Sequence, residues 1–191
     1  MKHLLIILSL LLLSFTIISC KSKDSTTSTD NSTTTGLFVT VGDSGTILTS
    51  SDGTSWDNGT SGTTNHLYGV TYGNGTFMIV GDSGTIITSS DGTTWTSRTS
   101  GTTNVLWGVN YGNSTFVVVG ESGYIYTSSD GTSLTSRTSG ITNDLWGITY
   151  GNSIFVTVSY GGDILTSSDG ISWTSRTSGT TNALYDVTYK E

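Results

Sequence analysis

The chain has 191 residues, of which 69 are Ser or Thr, 25 are Gly and none is Pro, and its formal net charge is −7. Lys and Arg number only seven, and Lys2, Lys21 and Lys23 precede the body, so clustered cations for nucleic acid or for anionic lipid headgroups are lacking. One cysteine and two histidines exclude an internal disulfide, a thiolate cluster and a zinc site of the usual His/Cys type, and no cofactor is expected.

In chain order, the basic start Met1-Lys2-His3 is followed by a mostly apolar run, Leu4 to Ile18, which ends in Ile17-Ile18-Ser19-Cys20. The run is shorter than the ~20 residues that a spanning helix needs and fits a signal-peptide core. Its end resembles the bacterial lipoprotein signal, in which a small residue precedes a cysteine that is lipidated. That resemblance implies a signal peptide over 1–19, lipidation at Cys20 and attachment to the cell envelope through an N-terminal lipid. Ile17 departs from the commoner Leu. Residues 21–35 contain no apolar side chain and cannot contribute to a core, so 20–35 reads as a lipidated cysteine and a flexible Ser/Thr-rich tether. Such a tether holds a domain on average ~20 Å from its anchor.

From residue 36 one unit recurs four times. Asp52, Asp91, Asp130 and Asp169 are spaced 39 residues apart, as are Phe38, Phe77, Phe116 and Phe155, and Tyr72, Tyr111, Tyr150 and Tyr189. Trp56, Trp95 and Trp173 keep the same step, with Leu134 in the third slot. The second unit predicts strand A over 67–72, a turn at 73–75, strand B over 76–80, a turn at 81–84, strand C over 85–89, an Asp-Gly turn at 90–92 and strand D over 93–98. Four short meandering strands per unit predict an all-β fold, a small β-propeller of four blades over 36–191. The body starts on a strand B and finishes on a strand A, Leu184 to Tyr189. The expectation is therefore that the C-terminal strand closes the first blade, with a homodimer forming a larger ring left open.

Ser89-Ser90-Asp91-Gly92-Thr93-Thr94-Trp95 resembles the Asp-box, or BNR, motif of sialidase-type propellers, with one residue fewer between Asp and Gly in every copy. The wider unit, from Leu67-Tyr68-Gly69-Val70 through Gly81-Asp82-Ser83-Gly84 to Trp95, is similar to repeats of photosystem II assembly-factor-like propellers. The resemblance covers 36–191 and implies a fold; Asp-boxes recur in enzymes and non-enzymes alike.

Several patterns could carry chemistry. Asp52, Asp91, Asp130 and Asp169 fall in four different blades at one hairpin, which assigns them to accepting backbone N–H groups rather than to acid–base work. Gly-Asp-Ser-Gly at 42–45 and 81–84 lacks the base and acid that a serine nucleophile needs. Sialidases hold a substrate carboxylate with three arginines, but Arg98, Arg137 and Arg176 share the outermost strand slot of three blades and should diverge. No Asp-x-Asp-x-Asp run offers a calcium loop. Tyr68, Trp107, Trp146 and Tyr185 form a matched aromatic set on the innermost strand, placed either to stack on a sugar or peptide or to pack between blades. The loops preceding strand A vary at His66, Val105, Asp144 and Ala183, and the B–C loops carry Asp43, Asp82, Glu121 and Tyr160. Variation on one face of a symmetric scaffold is how binding surfaces are built. The expected function is a non-catalytic, envelope-anchored module that binds a protein or glycan through Tyr68, Trp107, Trp146, Tyr185, His66 and Asp144. A structural or assembly-factor role in an envelope complex is the alternative.

Overall fold

The computed structural model describes residues 36–191; the signal segment 1–19, Cys20 and the tether lie outside the described residues. Among the described residues fifteen strands form four antiparallel sheets in succession. The first sheet has three strands, β1 (Phe38–Val41), β2 (Thr46–Ser50) and β3 (Asp57–Thr60). The second orders β4 (Leu67–Gly73), β5 (Thr76–Gly81), β6 (Ile86–Ser89) and β7 (Thr96–Arg98). The third contains β8 (Leu106–Gly112), β9 (Thr115–Gly120), β10 (Ile125–Ser128) and β11 (Thr135–Arg137). The fourth contains β12 (Leu145–Gly151), β13 (Ile154–Ser159), β14 (Ile164–Ser167) and β15 (Thr174–Arg176). Among the described residues no helix is long and apolar enough to cross a membrane.

Each sheet is a blade, and the core lies between blades. Met78, Val80 and Ile86 of the second meet Leu106, Val109, Phe116 and Val118 of the third. Val117, Val119 and Ile125 of the third meet Leu145, Ile148, Phe155 and Leu165 of the fourth. Strands β5 and β9 are apolar on both faces because each face meets a neighbouring blade, whereas β1 alternates exposed and half-buried residues. The inner strands β4, β8 and β12 pack side by side. Glycine permits this approach: a Cβ at Gly73, Gly112 or Gly151 would enter the ring of Tyr111, Tyr150 or Tyr189 of the next inner segment.

Two expectations are corrected. Strand D starts at Thr96, not at residue 93, because Oδ1 of Asp91 takes the backbone N–H groups of Thr93 and Thr94 at 2.8 Å each and holds them in the turn. The C-terminal segment does not close the first blade. Residues 183–191 carry no strand assignment, and the first sheet keeps three strands. The segment instead lies along β12, as β12 lies along β8. The carbonyl of Tyr185 stands over Gly147 as that of Trp146 stands over Gly108, and Leu184 donates its N–H to the Ser159 carbonyl at 3.0 Å. It is thus spent on the fourth blade's inner strand, and among the described residues no backbone hydrogen bond joins it to β1.

Candidate functional site

The loops before the inner strands and the B–C loops meet on one face. His66 Nδ1 is 3.0 Å from Asp43 Oδ1, and Leu67 donates its N–H to the Gly42 carbonyl. Glu121 accepts the N–H of Val105 at 3.2 Å, and Asp144 accepts that of Ser122 at 2.8 Å. The B–C loops hold a serine at positive φ, near 54° at Ser44, 52° at Ser83 and 55° at Ser122. The Gly-Asp-Ser-Gly segments are therefore tight turns.

At the inner end of this face the aromatic set forms one continuous line. The ring centres of His66 and Tyr68 are 6.4 Å apart, those of Tyr68 and Trp107 4.6 Å, those of Trp107 and Trp146 5.5 Å, and those of Trp146 and Tyr185 5.0 Å. A furrow runs beside it, lined by Tyr68, Trp107, Trp146, Tyr185 and Asp186, with Gly69, Gly108 and Gly147 between the rungs. The faces of Trp107 and Trp146 are occupied by neighbouring rings. Their indole N–H groups are shut off from solvent with no acceptor among the described residues, and each such donor costs about 1–3 kcal/mol. The rungs at the two ends are open: Tyr68 is 39% and Tyr185 61% exposed. Loss of water around the Tyr68 phenol, together with the nearby Asp82 and Asp43 carboxylates, raises its pKa above the usual value.

The structure brings Tyr68, Trp107, Trp146, Tyr185 and His66 together. Asp144, the repeat counterpart of His66, reaches to the preceding blade's B–C loop in the same way, its carboxylate accepting the Ser122 N–H. Tyr160 was not singled out as a rung, yet its ring stacks 6.0 Å from that of Trp146. Its signal was the position, since Asp43, Asp82 and Glu121 fill the same repeat slot in the other blades. Asp186 was likewise missed; it stands where Gly69, Gly108 and Gly147 stand in the other inner segments.

The four repeated aspartates lie elsewhere, at the hairpins. Asp52 Oδ1 accepts N–H groups of Thr54 and Ser55, and Asp169 Oδ1 those of Ile171 and Ser172. Asp130 Oδ1 accepts those of Thr132 and Ser133, while its Oδ2 takes the Thr132 hydroxyl. These bonds favour the carboxylate form and hold all four groups below the usual Asp range, led at Asp52 by Ser55, at Asp91 by Thr94, at Asp130 by Thr132 and at Asp169 by Ser172. The arginines are separated too: the Nε atoms of Arg98, Arg137 and Arg176 donate to Thr88, Thr127 and Thr166, each within its own blade. Among the described residues no group of three or more His, Cys, Asp or Glu is arranged to hold a metal.

Four successive antiparallel blades with an inner aromatic line define a propeller-like repeat body. No protein-family model and no curated protein matches the chain. Solved structures share the fold. "YCF48 bound to D1 peptide" is 19% identical with a TM-score of 0.60, over 78% of this chain and 52% of that one. YCF48 from Cyanidioschyzon merolae is 16% identical with a TM-score of 0.60, over 79% and 55% of the two chains. The computationally designed Ika8 protein is 11% identical with a TM-score of 0.56, over 80% and 52%. The chain thus spans about half the length of the structures it resembles.

Proposed function

We propose that the chain is a non-catalytic binding module, held at the cell envelope through a lipid on Cys20, which grips an extended segment of a protein along its inner aromatic furrow. The observation that carries this reading is the furrow itself. Its strands β4, β8 and β12 each pair on one side only, so their other edges offer backbone donors and acceptors to an extended chain. Of the glycines between the rungs, Gly69 on β4 is half-buried whereas Gly108 and Gly147 are covered by the next inner segment, so the edge of β4 is the more accessible one. A saccharide stacks best on a broad open aromatic face, and here the two indoles are covered by neighbouring rings, which leaves the smaller phenols of Tyr68, Tyr160 and Tyr185 exposed. This favours a peptide over the glycan, and the YCF48 structure bound to D1 peptide shows that a body of this fold accepts one. The assembly-factor role is this same activity exercised within a complex.

The test is a panel of immobilised extended peptides and a glycan array, both probed with the unsubstituted chain and with Tyr68→Ala. Binding to peptides that Tyr68→Ala weakens supports the reading. Capture of glycans alone, or peptide binding indifferent to Tyr68→Ala, overturns it.

A further inference from the structure

Because the four units are near copies, a residue that breaks the repeat in one blade is not required by the fold, and one joint collects such breaks. Position 124 carries Tyr where the other blades carry Thr46, Thr85 and Asp163, and position 126 carries Tyr where they carry Leu48, Ile87 and Leu165. Two residues apart in extended backbone, the two side chains share a face. Their rings lie 11° from parallel with centres 6.0 Å apart. That face looks toward the second blade, since Tyr126 packs with Met78, Val80 and Ile86. Arg98 looks back from the second blade, because it lies directly opposite Ile86 and so shares its face. Between them runs an outer groove of about 950 Å³, lined also by Asn104, Ser97 and Ser136. It shares no residue with the inner furrow.

Four groups here are open to a ligand. Tyr124 is 41% exposed, so its ring offers a surface. Tyr126 is only 6% exposed, yet its hydroxyl opens onto the groove with no hydrogen-bond partner among the described residues. Arg98 donates from Nε to Thr88 Oγ1 at 2.9 Å, and among the described residues no carboxylate stands within ion-pair distance of its guanidinium. Asn104 is the fourth. Its counterparts are engaged: Asn65 Nδ2 donates to Thr85 Oγ1 and Asn143 Nδ2 to Asp163 Oδ2, both at 2.8 Å. Those acceptors occupy the slot that Tyr124 fills in the third blade, so among the described residues only the backbone of Asn104 is bonded. One substitution thus opens a ring face and releases a planar amide beside it. No Asp or Glu lines the groove, in a chain of net charge −7.

We propose that this groove binds an acidic saccharide, a glycan containing a uronate unit. The C–H face of the pyranose lies on the Tyr124 ring, its carboxylate on Arg98 and its hydroxyls on Asn104 and Tyr126. A guanidinium holds a carboxylate through two parallel N–H···O bonds, and an amide and a phenol serve sugar hydroxyls as both donor and acceptor. Apart from the tyrosines, the walls are hydroxyl and amide groups with buried Ile86 and Ile87 behind them. Such walls suit a polyhydroxylated ligand and give a peptide no apolar pocket for its side chains. This inference does not depend on what the inner furrow binds.

The test is calorimetric titration of the full-length chain with oligosaccharides of glucuronate, galacturonate, mannuronate and guluronate, and with their carboxyl-reduced counterparts. Binding of at least one uronate oligosaccharide is expected, and its loss on carboxyl reduction. Tyr124→Thr installs the residue of the second blade and gives Asn104 an acceptor, so it should melt as the unsubstituted chain does. It should weaken uronate binding at least about tenfold. Arg98→Gln and Tyr126→Phe should each weaken it as well, the latter by removing a single hydroxyl. Tyr68→Ala, which should weaken peptide capture along the furrow, should leave the uronate affinity unchanged. Binding of no uronate oligosaccharide, equal binding of the carboxyl-reduced forms, or no effect of Tyr124→Thr and Tyr126→Phe would overturn the proposal. Uronate binding lost in Tyr68→Ala but kept in Tyr124→Thr would move the saccharide to the furrow and overturn it too.

Discussion

Phe38 and Phe116 occupy the same place in the repeat, and truncating each to Ala should separate an interior blade from an end blade. Phe116 is fully buried, packed between the second and third blades with its ring centre 4.7 Å from that of Tyr111. Removing it loses the transfer energy of a whole phenyl ring and leaves a cavity that neighbouring strands cannot collapse into, a cost of about 4 kcal/mol. Phe38 is 57% exposed, so less than half of that transfer energy is at stake and no closed cavity forms. Its truncation should cost about 1 kcal/mol in a single chain. Urea unfolding of the purified protein, followed by intrinsic fluorescence at nanomolar concentration, measures both. Equal costs would refute the reasoning, since Phe38 would then be enclosed within a single chain.

Trp107→Ala should lower stability by about 2–3 kcal/mol, because its ring is held between those of Tyr68 and Trp146; urea titration checks this, and an unchanged midpoint would mean that the ring is free to receive a ligand on its face. Stability should hold steady from pH 7 to pH 5 and begin to fall near pH 4. The four hairpin aspartates have lowered folded pKa values, so the unfolded chain takes up protons first, and the stabilisation is lost as the pH falls from the ordinary Asp value of ~3.9 toward the lower folded values. Replacing all four with Asn should flatten this acid limb in a thermal-melt series. Cys20→Ser should abolish incorporation of radioactive fatty acid and release the chain from the membrane fraction; equal labelling would contradict the anchor.

The repeat made the blades legible, because a 39-residue step in Asp, Phe and Tyr fixes where each strand and turn falls. Glycine in the inner strands was harder to interpret. Its purpose, making room for Tyr111, Tyr150 and Tyr189, depends on how neighbouring blades approach each other, which no single unit encodes. The phase of the termini assigned 184–189 as a strand closing the first blade, whereas these residues carry no strand assignment and the first sheet keeps three strands. Whether they meet depends on the angle between blades, set by packing of inner strands and not by any residue pattern. The aromatic set was found by its repetition, but its stacking into one line could not be read, since ring orientation follows from the spacing between blades. Tyr160 was overlooked as a rung because it replaces acidic residues at its repeat position and looked like loop variation.

Recognition at the face bearing the inner aromatic line can be tested by photo-crosslinking in intact cells. A benzophenone side chain would be placed at His66 or Val105 on that face, and at Thr93 or Thr132 in the Asp-Gly hairpins. Adducts with a molecule other than this chain are expected from His66 and Val105, weakened by Tyr68→Ala, and none from Thr93 or Thr132. Adducts confined to the hairpin positions, or none from either pair, would contradict it.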